Sequence, residues 1–144
     1  MGSYGITRLR DVFEAERRAV AALVEQLSPN HEPPSIDVLR AAARSDDAYV
    51  LVVRSGEHIV GMGTLIVMRT VLGVRARIED MVVDEAYRDR GLGKQLLDAL
   101  VEAARGAGAL NVELSSRPER ERANALYRSS GFVQRKTNVY RLAL

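Results

Sequence analysis

The chain has 144 residues, of which 47% are hydrophobic and 28% are charged, and its formal net charge is +2. This length and composition predict one globular domain spanning 1–144, with enough apolar residues to form a buried core. The absence of cysteine excludes disulfides, cysteine-ligated zinc, iron–sulfur clusters and a thiol nucleophile. With only two histidines, no metal site is expected.

Charge and hydropathy patterns also limit the expected partners. The 21 basic and 19 acidic residues alternate in sign rather than forming a stripe, and aromatic residues make up only 5%, so no nucleic-acid partner is expected. No apolar run reaches the roughly 18 residues of a membrane span. Residues 1–10 lack the apolar segment of a secretory signal peptide. We therefore expect a cytoplasmic protein with no membrane partner.

The first third of the chain predicts one strand followed by two helices. Residues 4–10 have strand-like alternation, and apolar residues then recur at helical spacing over 12–28, with Asp11 as the expected N-cap. Two consecutive prolines place 29–34 in a loop. Ser35 is expected to cap a second helix that ends at Ala43.

The apolar pattern then changes to short strands. Three strands separated by turns are predicted, at 49–53, 59–68 and 74–83. Gly61 and Gly63 within the second of them indicate a bulge or a close backbone approach. The polar residues 84–90 then predict a loop.

The strongest helix signal begins at Gly91. Its apolar stripe is formed by Leu92, Leu96, Leu97, Leu100, Val101 and Ala104. A strand at 110–115, a helix at 121–130 and two final strands at 132–134 and 138–142 are predicted after it. This order of elements is typical of an α/β layer architecture with a mixed sheet.

The glycine-containing loop between a strand and this helix is the most informative segment for function. It reads Arg-Asp-Arg-Gly-Leu-Gly-Lys over 88–94. Glycines allow backbone N–H groups to converge, and the helix dipole adds about half a positive charge, so the loop is suited to an anion such as a diphosphate. The Walker A pattern fails because Gln95 follows Lys94, and the dinucleotide fingerprint fails because Leu96 replaces its third glycine.

Two motifs together resemble the GNAT superfamily of N-acyltransferases. Arg88, Gly91 and Gly93 match its acetyl-CoA signature, Arg/Gln-x-x-Gly-x-Gly/Ala. A second family motif, Ala-x-x-Leu-Tyr-x-x-x-Gly-Phe, is matched further on by Ala123, Leu126, Tyr127, Gly131 and Phe132. The element order is similar to that of the family over nearly the whole chain.

The resemblance implies the GNAT fold, with a mixed central sheet of about seven strands, about four flanking helices and a cleft where the fourth and fifth strands splay apart. Acetyl-CoA, the implied co-substrate, would lie in that cleft. The implied cofactor-binding residues are Met81, Val82 and Val83 on the fourth strand, Arg88, Asp89, Arg90, Gly91, Leu92, Gly93 and Lys94 in the loop, and Asn124 and Tyr127.

The resemblance also implies the catalytic residues. Tyr127 matches the tyrosine that many members use as general acid, although a tyrosine on a helix also packs into cores. Glu79 takes the place of the water-mediated base, with Asp80 as the alternative base or a substrate contact. Glu79 could instead be paired with Arg77 or Arg75.

The implied activity is transfer of an acetyl group from acetyl-CoA to a primary amine of a small molecule, such as an amino sugar, a polyamine or an amino-acid derivative. Without cysteine the transfer must be direct, because no cysteine acyl-enzyme can form. The alternatives are acetylation of a protein N-terminus or lysine, and a non-catalytic CoA-binding regulatory module. The family resemblance makes a bacterial-type member and a homodimer plausible.

Overall fold

The computed structural model describes residues 3–144, which form a five-stranded sheet with helices on both of its faces. The strands are β1 (Tyr4–Arg8), β2 (Ala48–Ser55), β3 (His58–Thr70), β4 (Gly73–Val83) and β5 (Val112–Glu113). The helices are α1 (Glu14–Leu27), α2 (Ile36–Arg44), α3 (Leu92–Gly106) and α4 (Glu121–Ser129). A short 3₁₀ turn, Glu85–Tyr87, lies between β4 and α3.

The sheet is mixed, with the strands in sequence order from β1 to β5. Neighbouring strands are antiparallel except β4 and β5, which run parallel. Strand β2 shows how the two faces are filled: Val53 joins the core cluster that contains α3, whereas Val52 joins the one that contains α1 and α2. The α/β class with a mixed sheet and four helices is therefore confirmed.

Both predicted helix starts can be compared with the observed caps. Ser35 caps α2 as predicted, since its hydroxyl accepts a hydrogen bond from the backbone N–H of Val38 at 3.2 Å. The predicted cap at Asp11 is wrong, because α1 begins after Phe13. The backbone N–H of Phe13 donates to the carboxylate of Glu16 at 2.8 Å, and this contact satisfies the helix end.

The expectation of about seven strands is wrong for the part of the chain described, which has five. The strand predicted at 110–115 is reduced to Val112–Glu113, and Leu110, within the predicted range, is 72% exposed. No strand forms at 132–134 or 138–142, although both lie within the described residues. Every residue from 133 to 144 is exposed, and none of them pairs with a strand of the described sheet.

A β-bulge interrupts β4 at the position of the candidate acidic residues. Met62 is opposite Val82, but Thr64 is opposite Glu79, so the single residue between them on β3 faces two residues on β4. That single residue is Gly63, where an added Cβ would lie 2.9 Å from a methyl carbon of Leu100 on α3. Both sequence interpretations of this glycine, a bulge and a close approach, are confirmed.

None of the helices within 3–144 has the length and apolar character needed to cross a membrane.

Candidate active site

A gap opens between β4 and β5 where the two strands stop pairing. The two strands pair only at Ala76 with Val112 and at Arg77 with Glu113. Beyond that point β4 continues to Val83, whereas β5 ends. One side of the second half of β4 is therefore left without a neighbouring strand.

Hydrogen-bond direction shows which residues face this gap. The backbone N–H of Asp84 donates to the carbonyl of Val60 at 2.8 Å, so Asp84 faces β3. Backbone N–H and C=O groups alternate in direction along an antiparallel strand. Those of Val82 therefore also point toward β3, whereas those of Val83 and Met81 point toward the gap. The structure thus brings Met81 and Val83 to the opening but turns the backbone of Val82 away from it.

The loop 88–91 curls at the mouth of the gap before α3 begins. Asp89 and Gly91 both have left-handed backbone conformations, with φ values of 64° and 76°. Left-handed residues alternating with ordinary ones turn successive N–H groups toward a common point. The first-turn amides of α3 add donors that have no acceptor inside the helix. This loop has the backbone arrangement of an anion cradle.

The basic side chains of the loop are held by neighbouring protein groups. Arg88 donates from Nε to the carbonyl of Val83 at 3.2 Å. Lys94 lies 3.0 Å from the carboxylate of Asp98, one turn further along α3. Any anion in the cradle would therefore meet backbone donors first, with these cations as neighbours.

Arg90 lies in an aromatic cluster that ties the loop to β1. Its guanidinium donates to the hydroxyl of Tyr4 at 2.7 Å and lies 5.1 Å from the ring centre of Tyr87. The two tyrosine rings meet edge to face at 6.4 Å. The structure therefore places the charge of Arg90 against β1 rather than at the centre of the cradle.

A second contact ties the same loop to α4. The carboxylate of Asp89 accepts a hydrogen bond from the guanidinium of Arg122 near the start of α4. Nearby, a Cβ added at Gly93 would lie 3.4 Å from a methyl of Leu126. The loop is therefore held between β1 on one side and α4 on the other.

Tyr127 lies on α4 with its ring partly buried in the core. The ring centre is 6.0 Å from that of Phe132, which follows the end of the helix. Burial raises the pKa of the Tyr127 hydroxyl above its usual value, and Arg120 opposes this effect to a smaller extent. The phenol therefore stays protonated across the neutral pH range.

Asn124, one turn before Tyr127, is engaged with the backbone of its own loop. Its side-chain amide donates to the carbonyl of Arg117 at 3.0 Å. This hydrogen bond links α4 to the segment that precedes it after β5. In the structure, the Asn124 side chain therefore stabilises the conformation of that segment.

Glu79 forms an ion pair on β4, which was the alternative interpretation of this residue. Its carboxylate lies 2.5 Å from Nε of Arg77, two residues away on the same face of the strand. The same guanidinium donates to the hydroxyl of Ser115 at 2.6 Å, just after β5. Arg77 therefore connects the two strands at the point where the gap begins.

Asp80 occupies the β4 bulge with a left-handed backbone, φ 53°. Although the residue as a whole is exposed, burial of its carboxyl raises the pKa, and the negative charge of Glu79 raises it further. The charge of His31, in the loop between α1 and α2, lowers this pKa and is the smallest of the three effects.

The sequence interpretation missed Tyr4 and Arg122, which hold the loop in place. Tyr4 is 86 positions from Arg90, and Arg122 is 33 positions from Asp89. Neither pair has a local signal, since only the folded chain brings its members together. In the part of the chain that the structure describes, no group of three or more acidic, histidine or cysteine residues could hold a metal ion.

Comparison with known proteins shows the fold from a solved structure and the family from a sequence pattern. The crystal structure of the aminoglycoside acetyltransferase meta-AAC0020, from an uncultured soil metagenomic sample, superposes with a TM-score of 0.86 at 23% identity. The superposition covers 98% of this chain and 96% of that one, so the two share the fold. The sequence pattern of the Acetyltransferase (GNAT) family matches residues 9–132. This chain belongs to that family, whose members use acetyl-CoA.

Two relatives show similarity over most of the chain. Glucosamine 6-phosphate N-acetyltransferase 1 of Oryza sativa subsp. japonica is 33% identical over 132 residues, which span 85% of this chain and 78% of that protein. The N-alpha-acetyltransferase RimI of Mycobacterium tuberculosis is also 33% identical over 132 residues, spanning 90% of this chain and 81% of that protein.

Proposed function

We propose that this protein transfers the acetyl group of acetyl-CoA directly to a primary amine of a small molecule. The observation that carries the proposal is the unpaired side of β4, which opens beside the anion cradle of loop 88–91 and close to α4. An extended ligand arm can pair with such a strand side, while its charged end lies on the helix N-terminus. The absence of cysteine leaves direct transfer as the route.

In this proposal the backbone groups of Met81 and Val83 bind the pantetheine arm of acetyl-CoA. The diphosphate lies on the backbone donors of 88–94, as the sequence motif implies. Arg90 contributes to binding indirectly, because its hydrogen bond to Tyr4 keeps the loop in its curled shape. Asp89 contributes in the same way through its hydrogen bond from Arg122.

The acceptor amine must lose a proton before it can attack the thioester. A primary amine with a pKa of about 10.4 is neutral in only about one molecule in 2500 at pH 7, which costs about 4.6 kcal/mol. A general base is therefore needed, and a carboxylate with a raised pKa suits this task better than an ordinary one. Of the two candidates, we favour Asp80, since Glu79 is already engaged by Arg77.

Tyr127 is the proposed general acid. Departure of CoA leaves a thiolate, which a protonated phenol can stabilise by donating a hydrogen bond or a proton. Burial keeps the Tyr127 hydroxyl protonated at neutral pH, so the group is present in the form that the step requires.

The relatives suggest two classes of acceptor. Similarity to glucosamine 6-phosphate N-acetyltransferase 1 favours an amino sugar, and we take this class as the primary proposal. Similarity to the N-alpha-acetyltransferase RimI is the observation that supports a second candidate, a protein N-terminus. Both acceptors present a primary amine, so the site chemistry described above serves either one.

A panel of amines with acetyl-CoA tests the proposal, with free CoA thiol as the readout. The panel contains glucosamine 6-phosphate, glucosamine, an aminoglycoside, spermidine and peptides with free N-termini. Because the protein has no cysteine, it contributes no thiol background. Turnover of a small amine with unreactive peptides supports the primary proposal, and the reverse result supports the second candidate. If acetyl-CoA neither raises the melting temperature nor reacts with any amine, the acetyltransferase assignment is wrong.

The choice between the two carboxylates is tested by Asp80→Asn and Glu79→Gln. We expect Asp80→Asn to lower kcat/KM by about 100-fold or more and to remove the acidic limb of the pH profile. Glu79→Gln, the matched control on the neighbouring position, should retain that limb. Loss of the limb in Glu79→Gln alone would transfer the role of base to Glu79.

A further inference from the structure

Four charged residues of β4 form a row in which the sign of the charge changes along the strand. Arg75 and Arg77 come first, and Glu79 and Asp80 follow at the bulge. Arg75, Arg77 and Glu79 lie on the same face of the strand, because alternate residues share a face. The two intervening residues are buried in the core cluster that contains α3, so the charged face is the opposite one. This face therefore has a positive end and a negative end.

The two arginines of this face differ in the contacts that their charges make. Arg77 is held between the carboxylate of Glu79 and the hydroxyl of Ser115. Arg75 takes part in none of the ion pairs found within residues 3–144. Its Nε is shielded from solvent and has no hydrogen-bond partner among the same residues, whereas shielded N–H groups in native proteins usually have one. Arg75 thus has a charge and a donor to which the described chain supplies no partner.

An apolar surface lies beside the two arginines. On β3, Met68 is directly opposite Arg75, and Ile66 is directly opposite Arg77. Directly opposed residues project from the same face of a sheet. Both apolar residues are half-buried, and within 3–144 neither belongs to the two core clusters. The body of a small organic molecule can therefore lie against this surface beside the cations.

We propose, on the basis of the acetyl transfer proposed above, that the acceptor carries a phosphate or carboxylate as well as its amine, and that Arg75 binds this anion. The amine then lies at the acidic end of the row, near Asp80, and the anion lies at the basic end. Arginine suits this task because its N–H groups form a rigid fork that matches two oxygens of such an anion. The four residues of strand from Arg75 to Glu79 span about 13 Å, which sets the scale of the separation between amine and anion.

The same row of charges predicts which amines are poor acceptors. A polycation such as spermidine or an aminoglycoside brings a second positive charge toward Arg75 and Arg77, and like charges brought together are costly. An acceptor of mixed charge meets an opposite charge at each end. Selection therefore comes both from attraction of one class of amine and from repulsion of another.

Two pairs of acceptors, each differing by one anionic group, test the proposal. Glucosamine and glucosamine 6-phosphate differ by a phosphate, whereas putrescine and ornithine differ by a carboxylate. We expect the anionic member of at least one pair to have a kcat/KM about tenfold or more above that of its counterpart, as a charge-assisted hydrogen bond provides. A preference in the first pair alone identifies a phosphate, and a preference in the second pair alone identifies a carboxylate.

Substitution of Arg75 assigns the preference to this side chain. Arg75→Gln should lower kcat/KM for the preferred anionic acceptor by about tenfold or more, with little change for its counterpart. Arg75→Lys keeps the charge but loses the fork, so it should show an intermediate preference. Arg69→Gln is the matched control, because Arg69 is exposed and, as the neighbour of Met68, projects from the other face of the sheet. The melting temperature of each variant reports whether it is folded.

The possible outcomes distinguish this inference from the function on which it rests. A preference for an anionic acceptor that Arg75→Gln removes and Arg69→Gln retains supports the inference. Equal turnover of both members of each pair, or a preference that Arg75→Gln leaves intact, overturns it while the proposed acetyl transfer stands. Absence of turnover with all four amines overturns it as well, and the wider amine panel with acetyl-CoA then decides whether the proposed function also fails.

Discussion

The guanidinium of Arg90 donates a hydrogen bond of 2.7 Å to the hydroxyl of Tyr4, on the first strand of the sheet. Arg90 belongs to a glycine loop whose basic residues suggest direct contact with phosphate, yet its charge lies against Tyr4 and Tyr87. We therefore expect this arginine to act on the shape of the loop rather than through its charge. Anion binding by backbone donors depends on such a shape, because the N–H groups must converge.

Tyr4→Phe tests this anchoring role. The substitution removes the hydroxyl but keeps the ring that packs edge-on against Tyr87. Loss of one hydrogen bond of up to about 1 kcal/mol should weaken acetyl-CoA binding by up to about fivefold, measured by titration calorimetry. Tyr140→Phe is the matched control, because the Tyr140 hydroxyl accepts a hydrogen bond from the nearby Asn138 and takes no part in the loop.

A double-mutant cycle separates anchoring from direct phosphate contact. If Arg90 acts through Tyr4, the effects of Tyr4→Phe and Arg90→Ala on binding will be less than additive. Additive effects, together with a strong salt dependence that only Arg90→Ala reduces, would show that Arg90 contacts the phosphate itself.

Gly91 and Gly93 are expected to differ in their tolerance of a side chain. Gly91→Ala forces a left-handed backbone onto alanine and should cost about 1–2 kcal/mol of stability, lowering the melting temperature by several degrees. Gly93→Ala is the control, because its Cβ would make ordinary contact with Leu126 at 3.4 Å inside a helix. Equal losses in thermal unfolding would contradict this account of the loop.

How far the sequence predicts this molecule depends on the range of the interactions involved. The α3 stripe, the cap at Ser35 and the bulge at Gly63 follow from local patterns, and all three are observed. The residues of 138–142 also carry a local strand pattern, but they pair with no strand of the described chain. Strand propensity therefore identified the segment but not its pairing.

Prediction of the candidate site from sequence is limited in the same way, because local motifs are found but long-range contacts are not. The motif residues Gly91 and Tyr127 lie where the family pattern implies, at the loop and on α4. The sequence favoured Glu79 as the base over Asp80, although neighbours on a strand differ only in the face they occupy. The bulge sets their different surroundings, and the burial that raises the pKa of Asp80 is a property of the fold that the local sequence does not contain.

Asp80→Asn should stabilise the fold at neutral pH. Burial raises the pKa of Asp80 in the folded state, so the folded protein binds this proton more tightly than the unfolded chain does. Stability is therefore lost as pH rises through the unfolded and then the folded pKa, and the charged form is destabilising above both. Asparagine removes this charge and tolerates the left-handed backbone as well as aspartate does.

The expected result is a higher melting temperature for Asp80→Asn at pH 7, with the difference shrinking as pH falls toward about 4. Glu79→Gln serves as the comparison and should show no such gain, because it removes the carboxylate that pairs with Arg77. A destabilised Asp80→Asn at pH 7 would show that the carboxylate is held by favourable contacts rather than opposed by burial.

Tyr127→Phe should lower the rate of acetyl transfer while leaving the fold intact. The phenylalanine ring retains the packing against Phe132, but it cannot donate to the departing thiolate. We expect kcat to fall by about 100-fold or more, with little change in KM for acetyl-CoA. Because burial raises the pKa of Tyr127, the unchanged enzyme should show no loss of activity from phenol ionisation until pH exceeds the usual value of about 10.

The measurement is CoA thiol release under single-turnover conditions, which isolates the chemical step from product release. The melting temperature of Tyr127→Phe in the absence of ligand reports any loss of packing, and its rise with acetyl-CoA reports binding. A slow variant that still folds and still binds acetyl-CoA assigns the lost rate to the hydroxyl itself. An unchanged single-turnover rate would remove Tyr127 from the chemical step and leave it as a packing residue beside the gap.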